Sequence, residues 1–221
     1  MRNRRRAFTL VEILCVIALI GFLGAMVLSI AGHVYTSRNS ARARAEIQMF
    51  GVAIESFKRT YGEYPLHNGG ANDDEGWRRS FYACLSGLKV LKVKENQIQL
   101  VNYENASDDP SKTPVRRAFL SDAQINTNRD AKGEAPNENE RYYVDPWENP
   151  YGYRYSPLSG GSVGRQWERP GYLLVCAGEK HRDPIANTDY FVGSMETTGV
   201  VPNDYFDDEY RADNITNWRL E

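Results

Sequence analysis

Glu12 is the residue whose surroundings point most directly to a chemical role. It is the only charged residue between Ala7 and Gly32, in a stretch made otherwise of apolar, small and hydroxyl-bearing side chains. A carboxylate at the centre of a membrane helix costs about 2.5–3.5 kcal/mol on insertion scales, and less near an edge. Because such a charge is rarely placed there without a use, Glu12 is a candidate functional residue.

The remaining chemistry-bearing side chains do not show the spacing of a catalytic or metal site. His33, His67 and His181 are far apart and lack metal-ligand spacing such as H-E-x-x-H. The sequence contains no P-loop and no dinucleotide-binding fingerprint. We therefore predict no catalytic residues and expect the histidines to lie on surfaces or in turns.

Charge is distributed unevenly along the chain. The net charge of −2 excludes the global basic field that a nucleic-acid-binding protein would use. Four of the first six residues are arginines, so the positive-inside rule predicts a cytoplasmic N-terminus and a C-terminal domain across the membrane. The 221 residues leave room for one long membrane helix and one soluble domain of about 150–190 residues.

The three cysteines leave their redox state open. Cys15 lies inside the apolar stretch and is expected to pack as a small apolar side chain. Cys84 and Cys176 would share an extracytoplasmic compartment, where a disulfide between them is one reading. Two unpaired buried thiols are the other, because sequence does not give the distance between their Cα atoms.

The apolar stretch is too long for the core of an ordinary secretory signal. Such cores have 7–15 residues and precede a small-residue cleavage site, whereas Phe8–Gly32 would span roughly 37 Å as a helix. Beyond it, apolar side chains recur at helical intervals of three and four, at Ile47, Phe50, Ile54, Phe57 and Tyr61. Gly62 and Pro65 then stop the pattern. One continuous helix of roughly 50 residues is predicted.

After this helix, the sequence pattern indicates a small domain that contains both a short helix and strands. We predict a short helix over 81–88 and strands over 97–103, 151–155 and 172–176. Strands that follow one another through turns favour an antiparallel sheet. The predicted fold class is therefore α+β, with the long N-terminal helix packed on a small antiparallel sheet.

The segment 104–140 is mostly polar and contains three prolines. This composition predicts an extended surface loop that is partly mobile. The apolar residues Ala118, Phe119 and Leu120 are expected to hold the loop to the core.

The residues around Glu12 carry a family resemblance. The run Arg4–Ile13, R-R-R-A-F-T-L-V-E-I, resembles the signal of type IV pilins and type II secretion pseudopilins. The resemblance implies that a prepilin peptidase cuts between Ala7 and Phe8 and that the new N-terminal Phe8 is N-methylated. Ala7 stands where the family usually has Gly, so the residue before the cleavage site is still a small one.

Cleavage of this kind gives Glu12 a partner. It frees a positive α-amine on Phe8, and in a filament the Glu12 of a neighbouring subunit would pair with that amine. Two other readings remain at this stage. Glu12 either reaches the lipid headgroups without a partner or pairs with the amine of its own chain, four residues away.

Two C-terminal motifs narrow the resemblance to the major pseudopilin of type II secretion. Residues 145–151 read D-P-W-E-N-P-Y, where the family has D-P-W-G-N-P-Y, so Glu148 replaces a glycine. Residues 213–218 read D-N-I-T-N-W, close to the family's D-D-I-T-N-W. Residues 61–65, Y-G-E-Y-P, resemble the family's turn after the long helix. The stretch 66–141 has no clear counterpart, so the head is expected to be enlarged.

The same resemblance implies a calcium ion as a cofactor, near Asp213 and Asn214. Carboxylate and carbonyl oxygens are the ligands that calcium requires. Lys180 stands where the family has a ligating Asp.

These features together predict a chain with four parts. Residues 1–7 form a leader, 8–32 a transmembrane and assembly helix, 33–61 its amphipathic continuation, and 62–221 the head. The implied function is a non-enzymatic subunit of a type II secretion pseudopilus, anchored in the inner membrane with the head in the periplasm. The implied partners are copies of itself, the prepilin peptidase, the inner-membrane assembly platform and minor pseudopilins. The alternatives are a pilin for adhesion or motility and a permanently anchored ectodomain with a binding activity.

Overall fold

The structure is a computed structural model of the whole chain. The residues that it describes are 10–67, 74–94, 97–105, 107, 116–130, 132–155, 171–179, 191, 195, 201–203, 205–207 and 214–217. The chain divides into two units, Met1–Asn39 and Ser40–Glu221, and each is described by itself.

Helix α1 spans Leu10–Tyr61 and has 52 residues, which confirms the prediction of one long helix. It ends as the sequence predicts. Gly62 follows with φ of 84°, and its amide donates to the carbonyl of Lys58 over 2.7 Å. A glycine in this left-handed conformation just after a helix satisfies one of the last helical carbonyls. Among the described residues, no helix combines the length and the apolar character that crossing a membrane requires.

The unit from Ser40 onward contains the second part of α1, one further α-helix and two small sheets. Helix α2 spans Asp74–Leu85. The first sheet is an antiparallel hairpin of β1 and β2, and the second is antiparallel with the order β3-β4-β5. The strands are β1 Lys89–Lys94, β2 Gln97–Asn102, β3 Gly152–Tyr155, β4 Tyr172–Cys176 and β5 Ile215–Thr216. The α+β prediction is confirmed.

The core forms between α1 and the aromatic side chains of the later elements. The stripe Ile47, Phe50, Ile54 and Phe57 is at most 1% exposed. The ring of Phe50 lies 4.9 Å from that of Tyr151 and 5.0 Å from that of Tyr143, in edge-on contacts. Such contacts are worth about 0.5–1.5 kcal/mol beyond the burial of apolar area.

Strand β4 is buried on both faces, as a run of five consecutive large side chains predicts. Leu174 and Cys176 contribute to the core that contains α1. Leu173 and Val175 belong to a second apolar cluster with Phe191, Met195 and Tyr205.

The structure differs from the sequence-based prediction at three places. Helix α2 begins at Asp74, not at 81, because Trp77 lies one turn before Phe81 and is buried on the same face. Strand β1 was not predicted. The strand expected over 97–103 ends at Asn102, and a short 3-10 turn follows at Tyr103–Asn105.

Part of the segment 104–140 is more ordered than a surface loop. The backbone amides of Phe119 and Leu120 both donate to the carbonyl of Leu85, over 2.8 and 3.1 Å, and Leu120 is buried. This attachment confirms the predicted role of these two residues. Farther along, Thr127 forms an isolated antiparallel bridge with Tyr143.

Candidate functional site

The predicted processing site lies outside the described residues, because the description begins at Leu10. Ala7 and Phe8 are therefore known from their sequence alone. Glu12 lies in the first turn of α1 and is exposed.

The first part of α1 has an uncovered apolar surface. Its large apolar side chains from Leu10 to Met26 are each 51–75% exposed. Contiguous apolar patches of this kind mark surfaces that contact a partner or a lipid phase. Cys15 lies on the same segment and is also exposed.

The other two thiols are buried and do not form a disulfide. Cys84 and Cys176 are both free cysteines at 0% exposure, so the structure favours the reading of two unpaired thiols. Burial raises the pKa of Cys84 to about 12, with small opposing effects from the backbone of Leu66 and from Lys89. A thiol kept in this protonated form is a poor nucleophile.

A cluster of buried polar side chains joins α1 to the β3-β4-β5 sheet. This buried polar cluster consists of Glu46, Asp145, Tyr151 and Cys176, each at most 2% exposed. The Tyr151 hydroxyl donates to Oε2 of Glu46 over 2.6 Å. The Cys176 thiol donates to Oδ2 of Asp145 over 3.2 Å.

Arg42 neutralises one of the two carboxylates. Its Nε lies 2.7 Å from Oε1 of Glu46, one helical turn away, and its side chain is 46% exposed. Glu46 is buried in spite of its charge. It lies four residues before Phe50, so it shares the buried face, where Tyr151 provides its second hydrogen bond.

Burial raises the pKa of Asp145 to about 6. Hydrogen bonds from Cys176 and from the amides of Asn149 and Trp147 oppose this shift, and the nearby charge of Glu46 adds to it. Burial also raises the pKa of Cys176 well above its usual value. The cluster thus holds one carboxylate that is paired with a cation and one that is not.

Asp145 also organises the D-P-W-E-N turn. Its Oδ1 accepts hydrogen bonds from the amides of Trp147 and Asn149, both over 2.9 Å. Its own amide donates to the carbonyl of Asn149 over 2.8 Å. The Asn149 side chain then donates through Nδ2 to the carbonyl of Gly178 over 2.8 Å. The turn is therefore fixed both internally and to the residues after β4.

A second turn has the same hydrogen-bond pattern. In residues 130–134, Oδ1 of Asp130 accepts from the amides of Lys132 and Glu134, over 2.9 and 2.8 Å. The Asp130 amide donates to the carbonyl of Glu134 over 2.9 Å. This second turn is exposed, whereas Asp145 is buried. Because the two turns share a hydrogen-bond pattern and differ in burial, the same substitution in each one separates the effect of burial from that of the turn.

The predicted calcium ligands are only partly described. Asp213 and Lys180 lie outside the described residues. The Asn214 Nδ2 donates to the Tyr205 hydroxyl over 3.1 Å, while its buried Oδ1 has no hydrogen-bond partner among the residues that the structure describes. Within the described ranges, no three His, Cys, Asp or Glu side chains are grouped as a metal site. An amide oxygen such as the Asn214 Oδ1 is a suitable ligand for a calcium ion. Asn214 therefore fits the role of one ligand of such an ion.

Sequence reasoning missed the buried polar cluster because its members are far apart in the chain. Glu46 and Tyr151 are separated by 105 residues. The only local signal was the position of Glu46 between Ala43, Ile47 and Phe50, on the apolar face of the helix.

Comparison with known proteins adds evidence for the N-terminus alone. A search of curated proteins and a search of solved structures found no significant match to the chain. Residues 2–28 match the family model described as the prokaryotic N-terminal methylation motif. This motif supports the type IV pilin superfamily, so the chain carries the prepilin-type N-terminal signal of pilin-like proteins.

Proposed function

We propose that the chain is a structural subunit of a type II secretion pseudopilus, which supports protein export across the outer membrane. The observation that carries the proposal is the methylation motif over residues 2–28, joined to a helix whose apolar surface is uncovered from Leu10 to Met26. A filament of packed N-terminal helices would cover that surface. The D-P-W-E-N-P-Y and D-N-I-T-N-W segments favour a pseudopilin over a surface pilin.

Processing prepares the chain for assembly in this proposal. The prepilin peptidase removes residues 1–7 by cutting between Ala7 and Phe8, and Phe8 is then N-methylated. Glu12 of each subunit pairs with the Phe8 amine of its neighbour, because either charge buried alone would be unfavourable in an apolar surrounding.

The proposed location follows from the charge at the N-terminus. Residues 8–32 hold the chain in the inner membrane in a single pass, with the arginines in the cytoplasm and the head in the periplasm. The inner-membrane assembly platform then extracts the subunits into the pseudopilus, which minor pseudopilins accompany. The chain has a structural role and not an enzymatic one.

Calcium is the cofactor that the resemblance implies, and Asn214 gives it one point of support. A buried oxygen without a hydrogen-bond partner is unfavourable unless a cation or a donor satisfies it. We propose that Asp213 and Asn214 contribute oxygen ligands to such an ion. Calorimetric titration of the full chain with calcium in nonionic micelles tests this, with Asp213→Asn as the weakened variant. Absence of binding heat, together with an unchanged thermal unfolding midpoint, overturns it.

Processing is tested by the mass of the mature N-terminus. The full chain is produced together with a prepilin peptidase, and we expect a chain that begins with methylated Phe8. Ala7→Gly, which restores the usual family residue, should be processed at least as fully, and the bulky Ala7→Leu should block cleavage. An unprocessed wild-type chain that begins at Met1 contradicts the proposal.

The choice between secretion and a surface pilus is tested in the producing cell. Deletion of the gene should abolish export of secreted proteins and leave surface pili and motility intact. Loss of pili with normal export would overturn the secretion role in favour of a pilus subunit.

A further inference from the structure

The buried polar cluster places two carboxylates in one apolar core, and among the described residues a cation lies beside Glu46 but not beside Asp145. Glu46 has Arg42 at 2.7 Å and the Tyr151 hydroxyl at 2.6 Å. Asp145 has neutral donors, which are the Cys176 thiol and the amides of Trp147 and Asn149. Neutral donors compensate a buried charge less fully than an ion pair with additional hydrogen bonds does.

In the described part of the chain, the titratable groups around Asp145 come from α1, from the residue before β3 and from β4. Helix α1 contributes Glu46 and its partner Arg42, and the residue before β3 contributes Tyr151. Strand β4 contributes the Cys176 thiol. Of these groups Arg42 alone is positive, and its contact is with Glu46.

We propose that Asp145 and Glu46 make the contact between α1, the 145–149 turn and β4 a proton-linked junction that tightens as the medium becomes acidic. This junction lies within the unit from Ser40 onward and does not depend on filament assembly.

The geometry lets the junction keep its hydrogen bonds in both protonation states. When Asp145 is ionised, the Cys176 thiol donates to its Oδ2. When Oδ2 is protonated, its hydroxyl donates to the Cys176 sulfur, so the bond persists with the opposite direction. Oδ1 continues to accept from the two backbone amides. Protonation therefore removes the buried charge and its repulsion by Glu46 without dismantling the turn.

The sign of the pH dependence follows from the direction of the shift. Burial raises the pKa of Asp145 from 3.8 to about 6, so between these values the folded chain binds the proton more tightly than the unfolded chain does. Stability from this group is complete below the unfolded value and is lost as the pH rises through the folded one. A shift of two pKa units corresponds to a change of roughly 100-fold in the unfolding equilibrium constant.

The experiment compares three chains by urea unfolding in nonionic micelles between pH 4 and pH 7. Asp145→Asn keeps an oxygen that accepts from the turn amides and an NH₂ group that donates to the thiol, but it does not titrate. Asp130→Asn makes the same change in the exposed turn of the same pattern. We expect the unfolding constant of the wild type, relative to Asp145→Asn, to rise roughly 50-fold over this range, and Asp130→Asn to behave as the wild type does.

Two further measurements keep the proposal testable if Asp145→Asn does not fold. Carboxyl-carbon NMR of the wild type should show one aspartate that titrates with a midpoint near 6. Glu46→Gln should move that midpoint downward, because the neighbouring negative charge is removed. Parallel pH curves for the wild type and Asp145→Asn, or a midpoint that does not respond to Glu46→Gln, would overturn the proposal.

Discussion

Glu148 and Gly133 occupy the same position in two turns that share one hydrogen-bond pattern. Each is the fourth residue of a five-residue turn, and each donates its amide to the carbonyl of the first residue over 2.9 Å. Their φ angles are 71° and 79°. Glycine reaches this left-handed region freely, whereas a glutamate side chain is strained there. The head therefore carries in one turn a strain that it avoids in the other.

Replacement of Glu148 by glycine should stabilise the head. The substitution restores the residue that the pseudopilin motif has at this position and removes a conformational penalty of about 1 kcal/mol. Because Glu148 is exposed, no buried contact is lost with its side chain. Urea unfolding of the full chain in micelles measures the gain, and an unchanged or lower free energy of unfolding would contradict it.

The matched control is Gly133→Ala. No atom outside residues 132–134 lies within 4 Å of the added Cβ, so the substitution tests the φ angle without a steric clash. We expect a loss of about 1 kcal/mol. A neutral result would show that this turn adapts to a side chain, and the strain assigned to Glu148 would then be too large.

Removal of the Tyr151 hydroxyl should destabilise the junction between α1 and the sheet. Tyr151→Phe keeps the aromatic contact with Phe50 but leaves one oxygen of the buried Glu46 without its donor. The expected loss is about 1–3 kcal/mol. Tyr142→Phe, a tyrosine whose side chain is partly exposed, is the control. In a double-mutant cycle with Glu46→Gln, the two losses should not add, and additive losses would contradict a direct coupling.

The three thiols should differ sharply in reactivity. In the folded chain in micelles, a small neutral maleimide should label Cys15 alone, because Cys84 and Cys176 are fully buried. All three should react after denaturation in urea. Mass spectrometry counts the adducts, and labelling of Cys84 or Cys176 under native conditions would contradict the described core.

Glu12 should matter for assembly and not for the fold of the head. Glu12→Ala removes the carboxylate that we propose to pair with the processed Phe8 amine. We expect loss of filaments by electron microscopy and an unchanged unfolding transition. Glu104→Ala, at an exposed position in the head, should still assemble. Normal filaments from Glu12→Ala would remove the pairing argument.

Local patterns predict the elements of this fold better than they predict its polar interior. The spacing of Ile47, Phe50, Ile54 and Phe57 gives the buried face of α1, and Gly62 gives its end. Strand β1 escaped prediction because its lysines interrupt the apolar alternation that identifies a strand. The burial of Glu46 was not predictable, since its partner Tyr151 lies far along the chain and only the folded sheet brings the two together.

The hydrogen bond between Tyr151 and Glu46 also bears on the order of folding. It closes a loop of 105 residues, and contacts of such large sequence separation form late, because the entropy of closure is lost before the contact stabilises the chain. A chain that emerges N-terminus first therefore leaves the carboxylate of Glu46 without its Tyr151 partner until residue 151 has been made. During that interval the nascent chain is open to chaperones and to proteolysis, and truncation before residue 151 leaves Glu46 without its hydroxyl donor.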